Sequence, residues 1–288
     1  MIEMLSLNFM VQALIISLII GLFLSYLGLH VVGRGIVFVD LAIGQIASLG
    51  GALAAYIGFG ATSIPIIFTL IGSLLISVIN IRDKRLKLEA VIGIFYAFTS
   101  AATVMLISKT PHGDTDIQEV LFGNVLSVSL KQITETGIVY GMLIILHVIF
   151  RRKFFELNES MRPEKTRDFI FNVWNFLFYT SIGLSIVFAV RIAGVIPVFS
   201  YLIFPSVCAI MLARSVQWLI ILGLIISFSG SFFGLYVSYH FDFPAGSSIV
   251  AVLGVLFVLV SAIRLFRDFY IKKHNLNSED ISKTDLKI

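Results

Sequence analysis

Two polar side chains interrupt an apolar stretch, residues 33–51, which has the sequence GRGIVFVDLAIGQIASLGG. They are the carboxylate of Asp40 and the amide of Gln45. An ionisable group within a membrane span costs a few kcal/mol, so it usually faces a cavity, a partner or a transport pathway. The alternative is that Asp40 pairs with Arg34 or another basic group near the membrane surface and serves helix packing only. Both interpretations remain open from the sequence.

Helical periodicity places small residues on the face that carries Asp40. At 100° per residue, Gly44, Ala47 and Gly51 all lie within about 40° of Asp40 around the helix axis. A face of small residues can approach another backbone closely or line a narrow passage. Gln45 lies about 140° from Asp40, at the border of this face. The pattern therefore favours a pathway role for Asp40 more than for Gln45.

Two further segments contain side chains that could bind a cation. In PHGDTD, His112 and Asp114 could present ligands to a hard or borderline metal, and a solvated loop is the competing interpretation. In YHFDFPAGSS, the His240 imidazole and the Asp242 carboxylate could bind a cation, but a simple turn containing proline and glycine explains the segment equally well. Both pairs are weaker candidates than Asp40.

The composition identifies the class of protein that must position these side chains. Of 288 residues, 58% are hydrophobic and only 13% are charged, and the mean hydropathy is +0.99. Such a chain is too apolar for a soluble domain and is typical of a multi-pass membrane protein. Cys208 is the single cysteine, which excludes a disulfide framework and a thiolate metal cluster.

Motifs that would indicate an enzyme are missing from the sequence. It contains no GxxxxGK[ST] phosphate loop, no HExxH and no GxSxG. Any ATP hydrolysis must therefore come from a partner chain, and we expect a transport subunit rather than an enzyme. Nothing in the sequence indicates binding of nucleic acid or of a resident cofactor.

Apolar runs long enough to cross the membrane determine the expected fold. A spanning helix needs about 20 apolar residues. The sequence predicts an all-α bundle of about eight to nine spanning helices, at approximately residues 9–31, 36–58, 64–81, 89–108, 133–150, 170–190, 193–213, 216–238 and 247–265. We expect a transmembrane domain over residues 1–270 and a polar cytoplasmic tail over residues 271–288.

Charge placement predicts the orientation of this bundle. If the spans alternate, one side holds most of the basic clusters: Arg34, residues 82–87, 151–153, Arg214 and the tail from Arg264. The opposite side holds Glu3, Asp114, Asp116, Glu119 and Asp242. Because basic loops remain in the cytoplasm, the N-terminus is predicted outside and the C-terminus inside.

Two segments between the spans are too short to cross the membrane. Ile117–Leu130 is apolar but has only 14 residues, which suits an interfacial or re-entrant helix. Phe154–Phe169, on the predicted cytoplasmic side, mixes charged and aromatic residues. We interpret it as a short docking helix, with a solvated loop as the alternative.

Four segments, taken in order, resemble the permease subunits of ABC transporters that import zinc, manganese or iron, the ABC-3 family. They are GRGIVFVDLAIGQIASLGG, EAVIGIFYAFTSAATVMLISKTPHGDTDIQEVLFGNVLSVS, VRIAGVIPVFSYLIFPSVCAIMLARS and FFGLYVSYHFDFPAGSSIVAVLGVLF. The resemblance covers most of the chain from Gly33 to Phe257. It implies a bundle related to the vitamin B12 and siderophore importers, in the cytoplasmic (inner) membrane of a bacterium.

The resemblance also implies partners and cargo. The permease would work as a homodimer with two ABC ATPase subunits and an extracytoplasmic metal-binding protein, and a divalent metal would be the transported substrate. The Phe154–Phe169 segment lies where a coupling helix would meet the ATPase. The residues expected to make that contact are Ser160, Arg162, Pro163, Glu164 and Arg167.

Within the family motif of the second span, an aspartate is followed four residues later by a histidine on the same face, in the metal path. Asp40 matches the aspartate, whereas Gly44 occupies the position of the histidine. Gln45 is the nearest polar substitute, although an amide is a weaker zinc ligand than imidazole. The alternatives for function are a siderophore, haem or cobalamin permease of the same architecture, and a membrane scaffold that does not transport.

Overall fold

The described residues of the computed structural model are 2–78, 88–109, 121–156, 169–213 and 215–284. These ranges contain helices and their connections but no strand. The helices are α1 Ile2–Ser6, α2 Asn8–Gly33, α3 Val39–Ile57, α4 Ser63–Val78, α5 Leu88–Ile107, α6 Leu130–Ile149, α7 Arg151–Glu156, α8 Phe169–Ala193, α9 Val195–Leu212, α10 Val216–Phe241 and α11 Ala245–Thr284. The predicted all-α class is confirmed.

Each predicted span corresponds to one helix. Within the described ranges, eight helices are long and apolar enough to cross a membrane, and α4 is a shorter apolar helix. Two helices start three residues away from their predicted positions: α3 begins at Val39 instead of residue 36, and α6 begins at Leu130 instead of residue 133. The start of α6 is determined by a capping box, in which the Ser129 side chain accepts a hydrogen bond from the Gln132 backbone while the Gln132 side chain accepts one from Ser129.

The helices pack in two groups joined by α8. In one group, α2 packs against α9 and α10, and α11 covers both of those helices. In the other, α3 lies between α4 and α5, and α8 packs against both α3 and α4. α6 contacts α2 and α8, so it closes the gap between the groups. α3 is thus packed against other helices on several sides.

Among the glycines of the described residues, Gly28 on α2 leaves the least room for a side chain, because α9 lies close to it. A Cβ atom added there would overlap the carbonyl oxygen of Leu202 and crowd the hydroxyl of Ser206, so only glycine fits. Ser206 Oγ lies 2.9 Å from the Ser25 carbonyl oxygen and 2.7 Å from that of Leu202. Small residues and interhelical hydrogen bonds are the usual means by which membrane helices associate. α2 and α9 are therefore held together along their backbones.

The segment predicted as an interfacial or re-entrant helix, residues 117–130, is described from residue 121 onward. This part is not one continuous helix, since a 3₁₀ turn at Val125–Ser127 interrupts it. Gly123, with φ +65°, reverses the backbone just before the turn. The Asn124 N–H then donates a 3.0 Å hydrogen bond to the Ile192 carbonyl. The chain thereby docks against the end of α8.

The last helix, α11, has 40 residues and continues past position 270. The segment that is apolar enough to span a membrane is Ala245–Arg267. The predicted boundary between a transmembrane domain at 1–270 and a polar tail at 271–288 thus falls inside one helix. That division remains a prediction.

Candidate functional site

Asp40 is the second residue of α3, and its side chain is buried, with 3% of the residue exposed. The connection from α2 determines where α3 begins. Gly35, with φ +65°, turns the chain after α2, and the Val37 N–H donates a 3.2 Å hydrogen bond to Glu89 Oε1 at the start of α5. Glu89 thus holds the turn that places Asp40.

Both carboxylate oxygens of Asp40 are buried, and neither makes a hydrogen bond to a described side chain. The nearest polar groups are the backbone amides of Asp40 itself and Leu41, in the first turn of α3. Helix N-termini favour negative charge, which offsets part of the cost of burying the carboxylate. Because no described side chain donates a hydrogen bond to either oxygen, the carboxylate of Asp40 is a candidate ligand for a passing cation.

The alternative of an Asp40–Arg34 ion pair is not found among the described residues. The Arg34 guanidinium instead lies over the ring of Phe178, with Cζ 3.5 Å from the ring centroid. Its Nη2 also donates to the backbone carbonyl oxygen of Phe154, at 3.5 Å. Both Arg34 and Asp40 are buried, at 8% and 3% exposed. They belong to different local environments.

Gly44 and Gln45 do not complete a ligand set with Asp40. Gly44 is on the Asp40 face, where a Cβ atom would lie 3.4 Å from Ile186 Cγ2 on α8. Gln45 is buried at 6% exposed, but it points about 140° away around the helix. Ser48 is also buried, and its hydroxyl has no hydrogen-bond partner among the residues described. Within the same residues, no three His, Cys, Asp or Glu side chains gather closely enough to hold a metal ion.

The other candidates from the sequence fall into two sets. His240 and Asp242 are both exposed, and no hydrogen bond or ion pair connects the two side chains. The His240 ring stacks on Tyr236 with centroids 6.0 Å apart, while Asp242, with φ 55°, ends α10. This geometry favours the turn interpretation. The second set lies outside the described residues: His112, Asp114, Ser160, Arg162, Pro163, Glu164 and Arg167.

A buried histidine pair escaped sequence reasoning. His30 on α2 and His147 on α6 are each 1% exposed, and their ring centroids are 6.4 Å apart. His147 Nε2 is 2.9 Å from the Ser181 hydroxyl, and the His147 ring stacks on Phe154 with centroids 4.4 Å apart. Because these histidines are far apart in the chain, no local motif signals their approach. The only signal in the sequence is one histidine within each of two apolar helices, which does not relate one histidine to the other.

Comparisons with known proteins agree on one kind of relative. The family model described as the ABC 3 transport family matches residues 6–264. The manganese transport system membrane protein MntB of Synechocystis sp. is 29% identical over 268 residues, which cover 90% of this chain and 84% of that protein. The manganese import system permease protein ScaB of Streptococcus gordonii is 27% identical over 267 residues, covering 92% and 95% respectively.

A solved structure gives the same result in three dimensions. This chain superposes on a chain of PsaBC from Streptococcus pneumoniae, determined in complex with Fab, with a TM-score of 0.75 and 26% sequence identity. The match covers 90% of this chain and 95% of that one. The similarity therefore extends over nearly the whole bundle.

Proposed function

The chain belongs to the ABC 3 transport family, and from that premise we propose that it is the membrane-spanning permease subunit of an ATP-driven importer of divalent metal cations. The observation that carries the proposal is the Asp40 carboxylate, buried near the start of α3 without a hydrogen bond to a described side chain. Relatives named for manganese transport over 84% or more of their length support the same function.

In this mechanism the cation enters from an extracytoplasmic metal-binding protein and passes Asp40 on the way to the cytoplasm. The carboxylate compensates part of the cation's lost hydration. Access alternates between the two sides of the membrane. A site with few protein ligands binds weakly, which allows the cation to leave.

ATP hydrolysis is assigned to a separate ABC ATPase subunit, since the sequence contains no phosphate loop. We propose that residues 157–168, between α7 and α8, make the contact with that subunit through Ser160, Arg162, Pro163, Glu164 and Arg167. The complete importer would contain a second permease copy and two ATPase subunits. The exposed apolar surfaces of α5 and α6 are available to lipid or to that second copy.

The donor chemistry favours manganese or iron over zinc as cargo. The Asp40 carboxylate offers oxygen atoms only, and carboxylate, carbonyl and water ligands suit Mn²⁺ better than Zn²⁺. The buried histidines His30 and His147 pack on the α2–α6 side of α8 with aromatic neighbours. Cys208 is buried in α9. None of these is placed to supply nitrogen or sulfur beside Asp40.

The test is uptake by the purified permease–ATPase complex in liposomes, with the binding protein and ATP supplied. Mn²⁺, Fe²⁺, Zn²⁺ and an iron chelate are compared at equal concentration. We expect ATP-dependent uptake of a free divalent cation, with Mn²⁺ or Fe²⁺ ahead of Zn²⁺. Uptake of the chelate alone would assign the chain to the siderophore, haem or cobalamin type. A permease that copurifies with no ATPase and moves no substrate would instead be a scaffold.

A further inference from the structure

Arg34 connects three helices at the end of α2. Its backbone N–H caps α2 by hydrogen bonds to the carbonyls of His30 and Val31. Its guanidinium lies 3.5 Å above the Phe178 ring on α8, and its Nη2 donates to the Phe154 carbonyl on α7 at 3.5 Å. A buried arginine is costly unless its donors and its charge are used. The Arg34 side chain uses its charge against the Phe178 ring on α8 and a hydrogen-bond donor on the Phe154 carbonyl of α7.

Phe154 fixes the short helix α7 to the bundle. Its side chain is completely buried, whereas Arg151, Arg152 and Lys153 before it are exposed. The Phe154 ring stacks on His147 and meets Phe178 with centroids 5.9 Å apart. Because Phe154 is buried while the three residues before it are exposed, its side chain anchors α7 to the bundle. Residue 157, three positions later, begins the segment that the proposed function assigns to the ATPase.

The backbone of Arg34 leads directly into the turn that positions Asp40. Gly35 follows it with φ +65°, and the Val37 N–H bonds to Glu89 on α5. Asp40 lies six positions after Arg34, in the first turn of α3. A shift of the Arg34 side chain would therefore move the start of α3, because only this short turn separates them.

We propose that Arg34 is a positioning residue that transmits movement between α7 and the Asp40 turn. The inference rests on the proposed function, because it takes the segment after α7 to be moved by the ATPase. Arginine suits the role, since its planar fork can donate to the Phe154 carbonyl while its face stacks on Phe178. Both interactions are strengthened by burial away from water. Without the arginine, α7 can move while Asp40 stays in place.

The experiment measures coupling, as cations transported per ATP hydrolysed, in liposomes containing the intact permease–ATPase complex. Arg34→Gln removes the charge and the stacking. The matched control is Arg191→Gln, since Arg191 at the other end of α8 also bonds to a distant residue, Thr62, at 3.1 Å. We expect Arg34→Gln to keep ATPase activity within about twofold while transport falls about tenfold, the loss expected for one hydrogen bond to a charged group. The control should retain its coupling ratio.

A role in folding alone would lower ATPase activity and transport together, in proportion to the assembled complex, and that result would overturn the inference. If Arg34→Gln does not assemble, hydrogen exchange of the backbone amides at residues 35–45 is measured in the milder variant Arg34→Lys. In the wild type, ATP binding should change the exchange rates of these amides, and in Arg34→Lys this change should be smaller. An equal change in both proteins contradicts the proposal. Failure of the proposed function is distinguishable, because the wild-type complex itself would then transport no cation.

Discussion

Gly44 on α3 faces Ile186 on α8, and a Cβ atom built on the glycine would lie 3.4 Å from Ile186 Cγ2. This is an ordinary contact distance for a methyl group, and Ile186 Cγ2 is the one atom of another described helix within 4 Å of that Cβ position. The replacement of the family histidine by glycine is thus accompanied by an apolar neighbour on the same face.

Restoring imidazole at this position should increase zinc binding. Gly44→His combined with Ile186→Ala places a histidine four residues after Asp40 on the same helix face and opens room for it. Nitrogen and carboxylate together suit Zn²⁺, so we expect about tenfold tighter zinc binding and slower zinc release. Equilibrium dialysis with ⁶⁵Zn measures the binding. Gly44→Ala with Ile186→Ala is the control, and equal zinc binding by both variants would refute the geometry.

Replacing the Asp40 carboxylate by an amide should stop transport without unfolding the protein. In Asp40→Asn the shape is kept and the charge is lost, so cation uptake should fall at least about tenfold. Because the folded state no longer buries a charge, thermal stability should be unchanged or higher. Uptake and melting of the purified complex are measured together. Asp242→Asn, at an exposed acid, is the control; normal uptake by Asp40→Asn would exclude Asp40 from the pathway.

The topology gives a third prediction. With the shorter helix α4 counted among nine crossings, the termini lie on opposite sides of the membrane, and the basic residues Arg151–Lys153 face the cytoplasm. In a variant with Cys208 replaced by alanine, a cysteine placed at Ser6 should react with an impermeant maleimide on intact cells, whereas one placed at Lys153 should react only after lysis. Labelling of both positions from the same side would contradict this orientation.

The contact at Gly28 predicts a stability effect. Gly28→Ala forces a methyl group into the Leu202 carbonyl, which should cost about 1–3 kcal/mol or more through overpacking and a widened α2–α9 interface. Thermal unfolding in detergent, followed by size-exclusion fluorescence, measures the loss. At Gly254 a Cβ atom would meet nothing within 4 Å. Gly254→Ala should therefore leave the unfolding temperature unchanged, and an equal effect at both positions would show that the contact is unimportant.

The positions of the membrane helices could be predicted because their signal is local. A run of about 20 apolar residues is sufficient to identify a span, and Asp40 stood out by its charge against such a run. Helix ends were less accurate where capping decides them, as at Ser129 for α6. The segment at 117–130 was predicted as helix because its composition is apolar, whereas Gly123 and the docking of Asn124 on Ile192 turn its described part.

The surroundings of Asp40 could not be derived from the sequence, since they depend on tertiary contacts. Arg34 is close to Asp40 in the chain, which suggested an ion pair, but its interactions are with Phe154 and Phe178, both more than 100 positions away. The approach of His30 to His147 has the same origin. Such contacts follow from how α2, α6 and α8 pack, and no spacing rule within one helix encodes them.

The close approach at Gly28 also limits how the protein can change shape. Sliding α2 along α9 would push a neighbouring side chain of α2 into the Leu202 carbonyl, where only a glycine fits. These two helices must therefore travel as one rigid body during a transport cycle. Relative rotation has to occur across a different boundary, such as the one between the helices grouped around α2 and those grouped around α3.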